Sequence, residues 1–170
     1  MDVLDARPVT QTGLDDRTLT PAELETLLAC IRPGTALGLR DLALFSLITD
    51  THLPCHVLLA MTEGDLLGPD RSSQLGLPHA WHLLVPSRAE DTPGFAYPLR
   101  PQAAHIVALW RDRRQRMGPG PCFWMLGSGY ARGAGRRLSF CRALRIFNRL
   151  AKQAGIRGSV VLFLLGGAPR

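Results

Sequence analysis

Beyond Asp112 the sequence contains no acidic residue. From Arg113 to Arg170 it carries 12 basic residues and nothing to oppose them, a net of +12, whereas Met1 to Asp112 holds 8 basic and 14 acidic residues, a net of −6. The overall charge of +6 therefore conceals a polarised molecule. Such asymmetry is the expected footprint of a polyanion-binding surface, most simply nucleic acid. Lysine is also nearly missing: Lys152 is the single lysine among 20 basic residues.

Long apolar runs are lacking too. The longest, Val160-Val-Leu-Phe-Leu-Leu165, falls short of the roughly 18 residues that span a bilayer and suits a buried strand or short core helix. The first residues, with Asp2 and Asp5 and no apolar stretch behind them, do not form a secretion signal, so a soluble cytoplasmic protein without membrane contact is expected. Cys30, Cys55, Cys122 and Cys141 include no C-x-x-C pair, which argues for reduced core thiols over a disulfide framework. At 170 residues and 46% apolar content, one domain is expected over residues 18–170, preceded by a flexible leader over 1–17 that lacks apolar periodicity.

What is present sorts into helices and a few short strands. Thr20-Pro21-Ala22-Glu23 supplies a helix start, with Thr20 as cap, Pro21 at the first helical position and Glu23 in reach of the cap. Leu24, Leu27, Leu28 and Ile31 continue it, and Pro33-Gly34 stops it. A second helix, about 36–50, is apolar around much of its circumference, and a short third one runs from Val57 to Met61. Between Gly64 and Leu99 the runs shorten: Asp65-Leu66-Leu67, Trp81 to Val85 and Phe95 to Leu99 read as three strands of a small antiparallel sheet. Helical periodicity returns at Pro101 and lasts to Arg116. After a glycine-rich loop, Ser139 caps a last helix that runs to Ala154, with Gly155 in the C-terminal capping position.

On that last helix Phe140, Leu144, Phe147, Leu150 and Ala151 share one face, and Arg142, Arg145, Arg149 and Lys152 share the other. The basic stripe reads either as a solvated face or as a surface for phosphates. Four cations with no acid between them repel one another unless something negative lies there.

Taken in order, the motifs resemble those of the tyrosine recombinases, the phage integrase family, over about residues 18–168. Leu19-Thr20-Pro21-Ala22-Glu23-Leu24 resembles the family's L-T-x-x-E opening, and Leu39-Arg40-Asp41-Leu42-Ala43-Leu44 its R-D-x-A-L. Thr51 to Met61, followed by Asp65-Leu66, parallels T-G-L-R-x-S-E-L-L-x-L and its closing D-I or D-V. Tyr97-Pro98-Leu99 and Ala154-Gly155-Ile156 resemble V-P-L and A-G-I. The resemblance implies an α+β, mainly helical, integrase-like catalytic domain with an antiparallel sheet of about three strands.

The same resemblance implies that the chemistry is gone. Pro54 stands where the family's phosphate-gripping arginine belongs, His52 replaces the glycine of that turn and Val57 its glutamate. Near the family's hairpin lysine only Arg88 is basic, and an arginine does not readily release a proton. The H-x-L-R-H box falls on Phe163 to Gly167, with Phe163 and Gly166 at the histidine and arginine positions, and no tyrosine follows. The expectation is a truncated, catalytically inactive member that binds the phosphate backbone of double-stranded DNA through Arg132, Arg136, Arg137, Arg142, Arg145, Arg149 and Lys152, with no catalytic residue, metal or cofactor. It would be accessory to site-specific recombination or integration on a mobile element, paired with an active recombinase subunit or itself. The alternatives are a protein-interaction module and a decaying remnant. Metal binding by His52, Cys55 and His56 is disfavoured because Pro54 interrupts their helix and no third ligand is placed. His79 and His82, flanking Trp81, read as surface residues, and Ser128 lacks a nucleophile's context.

Overall fold

A computed structural model describes residues 19–85, 94–117 and 137–157. The leader, Arg88, Cys122, Ser128, Arg132, Arg136, Phe163 and Gly166 lie outside them. Helix α1 (Pro21–Ala29) opens with the capping box that its sequence announces: Glu23 N donates to Thr20 Oγ1 at 3.3 Å and Thr20 N donates back to Glu23 Oε2 at 3.0 Å. Helix α2 (Ala36–Thr51) is capped by Thr35, whose Oγ1 accepts from Gly38 N at 3.0 Å. It is the central element. Ala43, Leu44, Phe45, Leu47 and Ile48 are all in the core, and α2 packs most extensively on helix α5 (Pro101–Gln115).

Helix α3 (Cys55–Ala60) begins two residues earlier than its apolar pattern suggests, because the Pro54 carbonyl accepts from Val57 N at 2.9 Å and serves as the cap. A 3-10 turn at Glu63–Asp65 leads into strand β1 (Leu66–Leu67). Helix α4 (Pro69–Gln74) follows; its sequence, Pro-Asp-Arg-Ser-Ser-Gln, has no apolar periodicity, so nothing in the pattern announces it. Strands β2 (His82–Val85) and β3 (Phe95–Pro98) complete an antiparallel sheet in the order β1-β2-β3, with Leu66 opposite Leu83 and Leu83 opposite Tyr97. Pro98 is tolerated because β3 is an edge strand.

Helix α6 (Phe140–Gln153) closes the core. Phe147 lies 6.1 Å, centroid to centroid, from Phe45 of α2, and both rings are fully buried. Each such side chain contributes about 1.5–3 kcal/mol of burial. The Cys55 thiol sits in this interior, where burial pushes its pKa up to about 12, so it is an inert hydrophobe and not a nucleophile. Among the described residues no helix is long and apolar enough to cross a membrane.

Candidate nucleic-acid interface

The basic face is built on α6. Ser139 caps it, accepting from Arg142 N at 3.4 Å, and Gly155 ends it in the left-handed region at φ 70°. Its first turn holds Arg142 and no acid, so a cation stands at the positive end of the helix dipole. That placement costs helix stability by itself and favours any anion brought to the same end. Arg137 is exposed two residues before the cap.

Packing divides the predicted stripe in two. The buried residues of α6 are Ala143, Ile146, Phe147 and Leu150, while Phe140, Leu144 and Ala151 are only partly covered. The helix is therefore rotated from the orientation its largest apolar residues suggest. Ala143 and Ile146 are buried in the face that also carries Phe147 and Leu150, and α6 packs against α1 and α3. All four cations are exposed, but the rotation brings only Arg142 and Arg149 to the wall of a groove shared with α2, and Arg145 and Lys152 line no part of it.

Across the groove stands a residue whose role only the packing discloses. Asp41 is 6% exposed and accepts from its neighbour Arg40, itself 2% exposed, through Nε at 2.9 Å and through the terminal nitrogen. The guanidinium of Arg149 approaches the other carboxylate oxygen to 3.9 Å. Burial pushes the Asp41 carboxyl above its ordinary value of 3.8, against the pull of Arg40, Arg149 and Arg142. A carboxyl raised in the folded state contributes most to stability below pH 3.8 and loses that contribution as pH rises through its folded value. The ionised form of Asp41 is thus a desolvated charge that its arginines offset only in part.

The second predicted feature is the turn between α2 and α3. His52 caps α2 at φ 55° and ψ 19°, the one positive-φ residue among the described non-glycines, so the backbone keeps a conformation suited to the glycine that the resembling motif carries there. Leu53 is buried, and the Pro54 side chain offers no donor. The turn therefore holds His52 in the left-handed region and presents no side-chain donor at Pro54. Replacing His52 by Gly is expected to raise stability by about 1 kcal/mol. The melting temperature should then rise by about 2–4 °C in a thermal melt; an unchanged or lowered value would mean that His52 side-chain contacts outweigh the backbone cost.

Of the histidines read as surface residues, His79 is exposed but His82 is not. At 2% exposure, His82 places Nδ1 3.0 Å from both Ser72 Oγ and the Ala80 carbonyl, tying β2 to α4. The expectation fails because α4, which covers it, had no signal in the pattern. His52 and His56 are both exposed, and among the described residues no group of three or more His, Cys, Asp or Glu side chains could hold a metal.

No protein-family model matches the chain, and no curated protein matches its sequence. Among solved structures, XerA recombinase matches with a TM-score of 0.69 over 94% of this chain and 50% of that one, at 16% identity. XerH site-specific recombinase bound to difH substrate, in a pre-cleavage complex, matches with a TM-score of 0.63 over 88% of this chain and 40% of that one, at 15% identity. The post-cleavage complex of XerH on a palindromic difH substrate gives 0.62 over 88% and 39%, at 16% identity. The chain spans half or less of the length of these recombinases. The likeness establishes the architecture: a recombinase-like fold, mainly helical, with a small three-stranded antiparallel sheet.

Proposed function

We propose that this chain is a DNA-binding, recombinase-like protein that does not cleave DNA and acts as an accessory in site-specific recombination or integration. The observation that carries the DNA reading is α6: Arg142 set against the helix dipole, Arg145 and Lys152 facing solvent, and no acid anywhere on the helix. The fold supports it, since two of the matched structures are site-specific recombinases bound to difH substrate. The phosphate contacts are Arg132, Arg136, Arg137, Arg142, Arg145, Arg149 and Lys152.

The absence of cleavage rests on Pro54 at the α2–α3 turn, and on Phe163 and Gly166 at two further positions where the resembling motif has an arginine or histidine. Loss of one good electrostatic contact at a reacting phosphate commonly costs about 10²- to 10³-fold in rate, and here several are missing together. An active recombinase subunit, or a second copy of this chain, is the protein partner.

The test is a fluorescence-anisotropy titration of duplex DNA at 50 and 200 mM salt. Seven phosphate contacts predict a slope of about −6 in log K against log salt, and an affinity loss of about 10³-fold or more between the two conditions. Affinity indifferent to salt overturns the DNA reading; a nicked or covalently trapped strand overturns the inactivity. A protein-interaction module is the second reading, favoured by Phe95, 60% exposed on the edge strand β3. Light scattering that gives an oligomer unaffected by DNA would select it.

A further inference from the structure

The groove that Arg142 and Arg149 border is more than the edge of the DNA face. It has a volume of about 810 Å³ and is lined by four arginines, Arg32, Arg40, Arg142 and Arg149, against the single acid Asp41. Ile31, Ile146 and Leu150, all buried, form part of its lining. Its size lies within the usual range for small-ligand sites.

Arg32 is held at this groove by the backbone. A Cβ on Gly38 would collide with the Arg32 carbonyl oxygen and stand 2.9 Å from the carbonyl carbon, so only glycine lets the α1–α2 connection lie against the first turn of α2. Glycine inside a helix ordinarily costs about 0.5–1 kcal/mol relative to alanine, a cost explained here by that close approach. The same first turn, Thr35 to Gly38, borders the groove, which adds the positive end of a 16-residue helix to the arginines. Arg32 belongs to the acid-rich part of the sequence, and the fold carries it to the C-terminal cations.

We propose that this groove binds a phosphate ester, held between Arg32 on one wall and Arg142 and Arg149 on the other, with Asp41 the internal carboxylate from which the ligand draws Arg149. A phosphate group presents several acceptor oxygens and meets guanidinium forks from both walls at once, which Asp41, on one wall, does not. The proposal rests on the reading of α6 as a phosphate-binding surface, because Arg142 and Arg149 belong to both. Two sources supply the chemistry: the backbone of a duplex that continues past α6, or a free ester such as a nucleoside triphosphate.

The experiment compares the wild-type chain with Arg32→Glu, Arg32→Gln and Arg145→Glu, the last lying outside the groove. Each is titrated with labelled duplex at two salt concentrations, and with ATP and inorganic pyrophosphate by calorimetry. Arg32 is exposed, so its variants should melt as the wild type does. If a duplex occupies the groove, Arg32→Glu weakens duplex binding by about tenfold and lowers the salt slope by about one, with Arg32→Gln in the same direction. If a free ester occupies it, ATP or pyrophosphate binds the wild type and loses about tenfold with Arg32→Glu, while only Arg145→Glu affects the duplex. Duplex binding that depends on Arg145 and not on Arg32, without binding of either free anion, overturns the groove and leaves the DNA reading standing. A wild-type chain that binds no duplex overturns the DNA reading, and absence of ATP and pyrophosphate binding then overturns the groove as well.

Discussion

Reversing Arg142, Arg145 and Arg149 together to glutamate is expected to weaken duplex binding by about 10³-fold at 50 mM salt and to reduce the salt slope from about −6 to about −3. Each lost contact removes its own counter-ion release, and each new carboxylate adds repulsion from the backbone. The three positions are not equivalent. Arg149 lies 3.9 Å from the Asp41 carboxylate and Arg142 also feels that charge, so part of their field is already neutralised. Arg145 is exposed and lines no part of the groove. Single reversals should therefore rank Arg145→Glu above Arg149→Glu in their effect on DNA. Arg149→Glu also sets a second carboxylate beside Asp41, so its melting temperature must be measured alongside. A triple variant that remains folded and binds with the wild-type slope would remove α6 from the interface.

Asp41→Ala is expected to destabilise the fold by about 3–5 kcal/mol, because it removes a buried carboxylate that the buried Arg40 guanidinium hydrogen-bonds. In a chain of this size that corresponds to a fall of about 6–20 °C in melting temperature. The direction is not contradicted by the raised pKa of Asp41. Burial penalises the ionised carboxyl more than its arginines reward it, so the pair as a whole contributes little over an apolar pair of similar shape, while half of the pair is far worse than either. The double variant Arg40→Met, Asp41→Leu should accordingly recover most of the loss. Urea denaturation of the three proteins decides the matter: a single-variant loss below about 1 kcal/mol would put the pair in the class of surface bridges.

Much of the architecture is legible without coordinates because it is enforced locally. Thr20, Pro21 and Glu23 start α1 through hydrogen bonds within one turn, Ser139 and Gly155 bound α6 in the same way, and the short runs at 66–67, 82–85 and 95–98 become strands between glycines and prolines. The charge division at Asp112 is likewise a property of the sequence alone. The places where local reasoning fails are those where a distant segment supplies the deciding contact. Helix α4 lacks any periodicity of its own, yet it covers His82 and makes a buried histidine of one that reads as exposed.

The candidate site divides along the same line. That α6 is amphipathic and cationic follows from its own spacing, since side chains at 100° intervals separate into faces whatever the surroundings. Which cations border Asp41 depends on how α6 rotates as it packs against α1 and α3, and burial of Ala143 and Ile146 sets that rotation. Arg32 reaches the groove only because Gly38 lets two backbone segments touch. Helix periodicity is a short-range property written in adjacent residues, whereas the neighbours of a side chain across a groove come from remote parts of the chain and are fixed only when the core closes.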